Sequence, residues 1–305
     1  MSKLSAPYLH DEEAAYAFLE GVLWPEGPTC PHCGGVDRIT KVKANPEKRI
    51  RLGLHRCGDC KKQFTVKVGT VFEASKVKLH LWLQAVVLMT SSKKGISAHQ
   101  LHRVLGVTYK TAWFMEHRIR EAMRSGDLAP FGGNGGAVEA DETFIGREPG
   151  VPKGRAFHHK MKVLSLVDRE TGRARSIVVD DLKRDTIEKF VGENVAREAR
   201  LMTDEAWFYG RIGKEFADHQ SVAHQKKEYV RGEAHTNTIE GYFSIFKRGM
   251  KGVYQHCGKR HLHRYVAEFE FRYNNRSALG VEDHDRAKAA LTGAKGKRLY
   301  YTQSA

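Results

Sequence analysis

A chain of 305 residues with 41% hydrophobic content is long enough for two or three globular domains, each burying a core of its own. Its 51 Lys and Arg outweigh 36 Asp and Glu, a formal net charge of +15 that selects for a polyanionic partner, nucleic acid above all. The longest dense apolar run, Leu81 to Met89, is far short of a bilayer span and is interrupted by Gln84, and the acidic N-terminus lacks the order of a secretory signal. A cytoplasmic protein with no membrane association is expected, in which clustered cysteines mean metal rather than disulfides.

Residues 11 to 22 read as a short amphipathic helix. The stretch from Cys30 to about Val68 follows, and "ITKVKANPEKRIRLGLHR" alternates on both sides of Asn45-Pro46 as a hairpin would. "CPHCG" and "CGDCK" supply Cys30, Cys33, Cys57 and Cys60, with 23 residues between the pairs. Each Cys-x-x-Cys can turn both thiolates onto one ion, and the hairpin returns the second pair, which makes a closed tetrahedral Zn site of structural type. His32 and His55 lie close enough to be substitute ligands, and Cys257 is a lone thiol.

A helical pattern begins at Leu79, and from Ala74 to Met115 there are six Lys or Arg and no acid. Within it, Ser97 and Gln100 form a start signal, Gly106 a stop, and Thr108 a second start, as in a helix-turn-helix. The second helix would present Tyr109, Lys110 and Thr111 to a DNA groove, while Trp113, Phe114 and Ile119 serve the core. The Gly-rich "SGDLAPFGGNGGA" then marks a domain boundary.

Beyond it come three strand-like runs, "AVEADETFIG", "KMKVLSLVDRE" and "RARSIVVDDL". Helix, strand, helix, strand and a long helix follow, the last from about Asn237. That is the element order of a ribonuclease H-like fold, whose carboxylates come from the first strand, the fourth strand and the last helix. Alternation places Glu139, Asp141 and Thr143 on one face of the first strand, with Asp141 the candidate ligand and Glu139 set aside. Asp204 ends "RLMTD", at the strand tip where open α/β sheets bind ligands, or else caps the helix after it. Glu240 follows Asn237 by three residues in a capping-box pattern, and no further acid occurs until Glu268. Phosphodiester chemistry gives the three acids a joint purpose. Two Mg²⁺ about 4 Å apart activate the attacking oxygen and stabilise the leaving one, and hard ions that keep part of their water shell need only a few carboxylates. Asp141 would bridge the ions, with Asp204 and Glu240 each holding one. Lys247 and Lys251 lie near the Glu240 face of the last helix and could hold phosphates there, or could simply be solvated. His158 and His159 belong to the tip between the first two strands, and Tyr265, Phe269, Phe271 and Tyr273 to a packed helix.

"WPEGPTCPHCGG", "HRCGDCKKQFTVKVGTVFE", "VEADETFIG", "HTNTIEGYFSIFKRGMKGVYQHC" and "FEFRYNNR" together resemble bacterial insertion-sequence transposases of the DDE type with an N-terminal zinc ribbon and an integrase-like core. The 35 residues between Asp204 and Glu240 are similar to the spacing in many retroviral integrases and related transposases. The resemblance implies an enzyme of nucleoid-associated location that binds terminal inverted repeats in double-stranded DNA. It would cleave there with Mg²⁺, or Mn²⁺ in its place, and join the freed 3′-hydroxyl to target DNA, working as at least a dimer. It carries the catalytic roles onto Asp141, Asp204 and Glu240. The expected division is a helix and zinc ribbon at 1–75, the helix-turn-helix at 76–125, a linker at 126–137, a ribonuclease H-like domain with a mixed five-stranded sheet at 138–280, and a tail at 281–305. The competing readings are a non-catalytic DNA-binding regulator and a nuclease of the same fold without strand transfer.

Overall fold

The computed structural model describes residues 3–124, 126, 129–154, 157–206, 209–222 and 230–300. The chain divides into two compact units, Met1–Arg124 with Val281–Ala305, and Ser125–Gly280.

In the first unit, α1 (Glu12–Leu23) starts where the Asp11 carboxylate accepts the Ala14 amide at 2.8 Å, and Glu12 and Glu13 complement the positive end of the helix. β1 (Ile39–Lys41), β2 (His55–Cys57) and β3 (Gln63–Phe64) form a small antiparallel sheet in which Ile39 faces Cys57 and His55 faces Phe64. α2 (Leu79–Ser91) has no cap of its own. The Glu12 carboxylate reaches across to accept the amides of Leu79 at 2.8 Å and His80 at 3.1 Å. α3 (Ala98–Leu105) and α4 (Tyr109–Met123) are capped by Ser97 and Thr108, each accepting an amide at 3.2 Å. The turn between them passes through Gly106 at φ 65°, a left-handed conformation that costs a glycine little.

Ile119 is fully buried, whereas Trp113 and Phe114 are only half-buried; the Arg118 guanidinium lies over the Phe114 ring, 4.8 Å from its centre. The stretch from 281 on is not a tail. α9 (Asp283–Thr292) packs among the helices of this unit, with Arg286 donating to the Thr90 carbonyl and Lys297 to the Ala122 carbonyl, each at 3.2 Å. Apolar positions Ala287, Ala290 and Leu291 fall on one face and are buried, which is why the segment folds back.

The second unit is built on a mixed five-stranded sheet of order β6-β5-β4-β7-β8. β4 (Ala137–Ile145), β5 (Met161–Asp168) and β6 (Ala174–Val179) are antiparallel neighbours, and β7 (Arg200–Asp204) and β8 (Asp218–Val222) add in parallel beyond β4. Alternate residues fill two cores. Val138, Ala140, Leu164, Leu166 and Leu201 pack with α5 (Arg184–Asn194) and with Tyr209 and Ile212 of α6 (Tyr209–Ile212). Val163 and Val167 face the opposite way, toward α7 (Asn237–Gly249) and α8 (Lys259–Asn274). A two-stranded ribbon of β9 (Val230–Arg231) and β10 (Ala234–His235) leads into α7.

Two expectations change here. The Gly-rich stretch is not a free linker, because Phe131 enters the core and exchanges backbone hydrogen bonds with Asn194 and Ala196 at 2.8 Å. Gly132, at φ 75°, approaches so closely that a Cβ there would lie 2.5 Å from that of Ala199. The helix expected over "EAWFYGRIGKEF" shrinks to α6 and a 3-10 turn at Gly213–Glu215, with Trp207 and Phe208 outside the described residues. Gly213 lies against His219, where a Cβ would come 2.1 Å from Nδ1. Among the described residues, no helix is long and apolar enough to cross a membrane.

Candidate metal and catalytic centres

The first centre is sulfur-only. Cys30, Cys33, Cys57 and Cys60 bring their Sγ atoms within 4.8 Å of one another, with Cys30 and Cys60, and Cys33 and Cys57, at 3.6 Å. Tight backbone turns create each knuckle: the Gly34 amide donates to the Cys30 carbonyl at 2.9 Å, and that of Cys57 to the Lys62 carbonyl at 3.0 Å. Neither neighbouring histidine joins the group. His55 is buried and stacks on Phe64 with ring centres 5.7 Å apart, and His32 is exposed, edge-on to the same ring. Four soft thiolates at tetrahedral range suit Zn²⁺ and leave no open coordination position.

The second centre is oxygen-only and lies at one end of the five-stranded sheet. Glu139 pairs with Met202 in the parallel β4–β7 register, so two residues further along Asp141 is level with Asp204. Asp141, Glu142 and Asp204 offer carboxylate oxygens that all lie within 4.8 Å of one another. The Asp141 carboxylate accepts the Glu142 amide at 2.7 Å, and Asp204 accepts the Ala206 amide at 2.9 Å. Asp204 therefore closes a local turn, and the next helix among the described residues is α6. On the α6 side the Tyr209 hydroxyl donates to Glu142 at 3.4 Å.

Crowding and burial show in the acidities. Burial pushes Asp141 well above the usual carboxylate range, and the charges of Glu142, Asp204 and Glu240 push it further. Burial and then the Asp204 charge push Glu142 up to about 7. The wholly buried Tyr209 hydroxyl is raised too, by burial first and then by Glu142, Asp141 and Asp204.

Glu240 stands in the first turn of α7, where the Thr236 hydroxyl donates to it at 3.1 Å. Of the expected acids, Asp141 and Asp204 thus meet directly, while Glu240 is near enough to act on Asp141 by its charge but outside the 4.8 Å group. The capping box expected from Asn237 is not formed. Asn237 is already helical, Thr236 occupies the cap position, and the Ile239 amide goes to Glu139 at 2.8 Å. Glu139, set aside as a ligand, is fully buried and gripped by Arg169 at 2.6 Å and His235 at 3.2 Å. It ties the strand that carries Asp141 to the helix that carries Glu240. Glu139→Ala is expected to destabilise the fold by about 3–5 kcal/mol, because it leaves Arg169 and a helix amide without their buried acceptor; urea titration would measure this.

Lys247 is half-buried on α7, with Nζ 5.9 Å from the Phe243 ring centre. Burial lowers its pKa, Asp141 and Glu240 raise it, and Lys251 and Lys160 lower it, so it lies between the acids and further positive charge. Lys251 is exposed on a π-helical turn, Met250–Tyr254. Lys110 is exposed at the start of α4, whereas Thr111 is half-buried with its hydroxyl 2.8 Å from that of Thr108. Tyr109 is exposed and stacks on His99 with ring centres 4.3 Å apart. His158 and His159 form a short 3-10 turn, where the His159 carbonyl accepts the Glu148 amide at 2.7 Å.

Glu142 escapes a period-two reading of β4, which points it away from Asp141. β7 ends at Asp204, level with Asp141, so the Asp204 carboxylate at that tip is open to both neighbours. The Asp141-Glu142 pair itself, two adjacent acids within one strand, was the one available signal.

Comparison with known proteins finds two matching domains. Residues 134–274 match the ISXO2-like transposase domain, and residues 10–63 match a transposase zinc-ribbon domain. A protein of Halobacterium salinarum, described as an uncharacterized protein in transposable element ISH50, is 29% identical over 283 residues, covering 86% of this chain and 90% of that one. With its ribbon cysteines clustered and acids gathered at the sheet end within the matched domain, the chain belongs to the insertion-sequence transposases that join an N-terminal zinc ribbon to a DDE-type domain.

Proposed function

We propose that this transposase binds the terminal inverted repeats of its element, cleaves the DNA there, and joins the resulting 3′-hydroxyl to target DNA. The observation that carries the reading is the meeting of Asp141 from β4 with Asp204 from β7, under the charge of Glu240 from α7. In this reading the second unit is a ribonuclease H-like core, and α3 and α4 are a DNA-binding helix-turn-helix.

The donor set fits hard divalent ions, since the groups that meet in the acidic cluster among the described residues are carboxylates. Asp141, Asp204 and Glu240 would hold two Mg²⁺, or Mn²⁺. Bound there, the ions supply a deprotonated attacking oxygen and charge stabilisation of the leaving one. The side chains do the rest. Asp141, between the other acids, orients both halves of the site; Lys247 and Lys251 hold phosphates beside it; Lys110 and Thr111 position the duplex on α4. The protein works on nucleoid DNA in the cytoplasm, and as at least a dimer, since two element ends are joined in one event.

Incubating the protein with pre-cut element ends, plasmid and Mg²⁺ tests the reading: joined products are expected. Cleavage of uncut ends with no joining would favour a nuclease, and binding with neither activity a regulator. Lys110→Ala is expected to weaken DNA binding about equally for all sequences and to reduce the slope of log affinity against log salt by about one, as loss of one phosphate contact does. Fluorescence anisotropy across a salt series would show it.

A further inference from the structure

The three acids that belong together by sequence order are not the three that lie closest in space. Glu142 takes the place of Glu240 in the tight group: its carboxylate, with those of Asp141 and Asp204, falls inside a 4.8 Å cluster. All three come from two adjacent parallel strands, whose relative position is set by the sheet hydrogen bonds. Glu240 instead comes from a helix, and its carboxylate accepts the Thr236 hydroxyl.

Glu142 is also held in place. Tyr209, with 1% of its surface exposed in the core beneath the sheet, aims its hydroxyl at Glu142 from 3.4 Å. A buried phenol that finds its acceptor on one carboxylate of an acidic cluster restricts that carboxylate's rotation and directs its remaining lone pairs. This is the kind of support that ligating groups receive from the residues behind them. Three carboxylates crowded within 4.8 Å of one another repel, and a divalent ion between them offsets that repulsion.

We propose that Glu142 is a fourth ligand of the catalytic centre, completing with Asp141 and Asp204 a site that binds one divalent ion before DNA arrives. Glu240 then serves the other ion, which is retained only when DNA phosphate adds its oxygens. This rests on the catalytic reading above but makes a separate claim, that ion loading is ordered and that the first ion depends on Glu142 and not on Glu240. Tyr209 is a positioning residue for that ligand.

The test is Mn²⁺ binding to the full, zinc-loaded, DNA-free chain, followed by titration calorimetry and by the spin-resonance signal of free Mn²⁺. The wild-type chain is expected to take up about one Mn²⁺, as a site of three carboxylates would. Glu142→Gln is expected to weaken uptake about 10–100-fold and Tyr209→Phe by a smaller factor, the range that loss of a ligand or its support produces. Glu240→Gln should leave uptake within about twofold, since it lies outside the first site. Asp141→Asn is the control for the underlying reading: if it leaves Mn²⁺ uptake intact, the centre is not a metal site and both claims fail. If Asp141→Asn abolishes uptake while Glu142→Gln does not, or if Glu240→Gln weakens it as much as Glu142→Gln, only the present inference is overturned. Wild-type chain that takes up no Mn²⁺ without DNA also overturns it, whatever the variants do. Glu142→Gln is isosteric and relieves charge crowding, so its ion-free melting temperature should equal or exceed that of wild type; a large fall instead would mean that Glu142 is a structural group and would count against a ligand role.

Discussion

Asp141→Asn is expected to lower Mg²⁺-dependent cleavage of element-end DNA by about a thousandfold or more, because the several kcal/mol of charge stabilisation lost with a bridging ligand correspond to about three powers of ten in rate. Binding of the same DNA should persist, since the groups proposed to grip phosphate lie on α4 and at the end of α7 rather than on β4. Removing one of four crowded carboxylates should also stabilise the ion-free protein, as burial and the neighbouring charges disfavour the ionised Asp141 carboxylate and hold its pKa well above the usual range. Activity would therefore fall while the melting temperature holds or rises. That combination separates a ligand from a residue the fold depends on. Glu139, two residues away, should behave in the opposite manner, losing stability through its buried bonds to Arg169 and the Ile239 amide.

The second large effect concerns the cysteine centre. Cys57→Ser, or prolonged chelation, is expected to release about one Zn per chain and unfold the ribbon, since a structural zinc contributes on the order of 10 kcal/mol to a module this small. The ribbon has little else to hold it: strands of two or three residues, and a core of Cys30, Cys57 and Phe64 with Trp24, Ile39 and Val68 packed around it. Metal analysis of purified reduced protein and circular dichroism before and after chelation would measure both. Retention of zinc by Cys57→Ser would count against the four-thiolate site.

Much of this was legible because it is local. Ser97, Gly106 and Thr108 announce helix ends within three or four residues of the groups they satisfy, and all three act at those ends in the structure. The Cys-x-x-Cys pairs are likewise short-range devices. What a one-dimensional reading missed involves partners far apart in the chain. The α2 amides find their acceptor 67 and 68 residues back, on Glu12. The Ile239 amide finds its own 100 residues back, on Glu139, which displaces the capping box that Asn237 and Glu240 spell out. Glu142 meets Tyr209 across 67 residues.

By itself, then, the amino-acid sequence determined the zinc ribbon, the mixed sheet with its order of strands and helices, and Asp141 and Asp204 as the acids at its tip. Periodicity, capping and ligand spacing act over a few residues and are written in order along the chain. Only the tertiary structure decided that Glu142 joins the acidic cluster, that Glu139 is a brace, that Phe131 docks the Gly-rich stretch, and that α9 returns to the first unit. Those outcomes depend on which distant groups are buried together, and a buried charge or amide takes whichever partner the packing brings within reach.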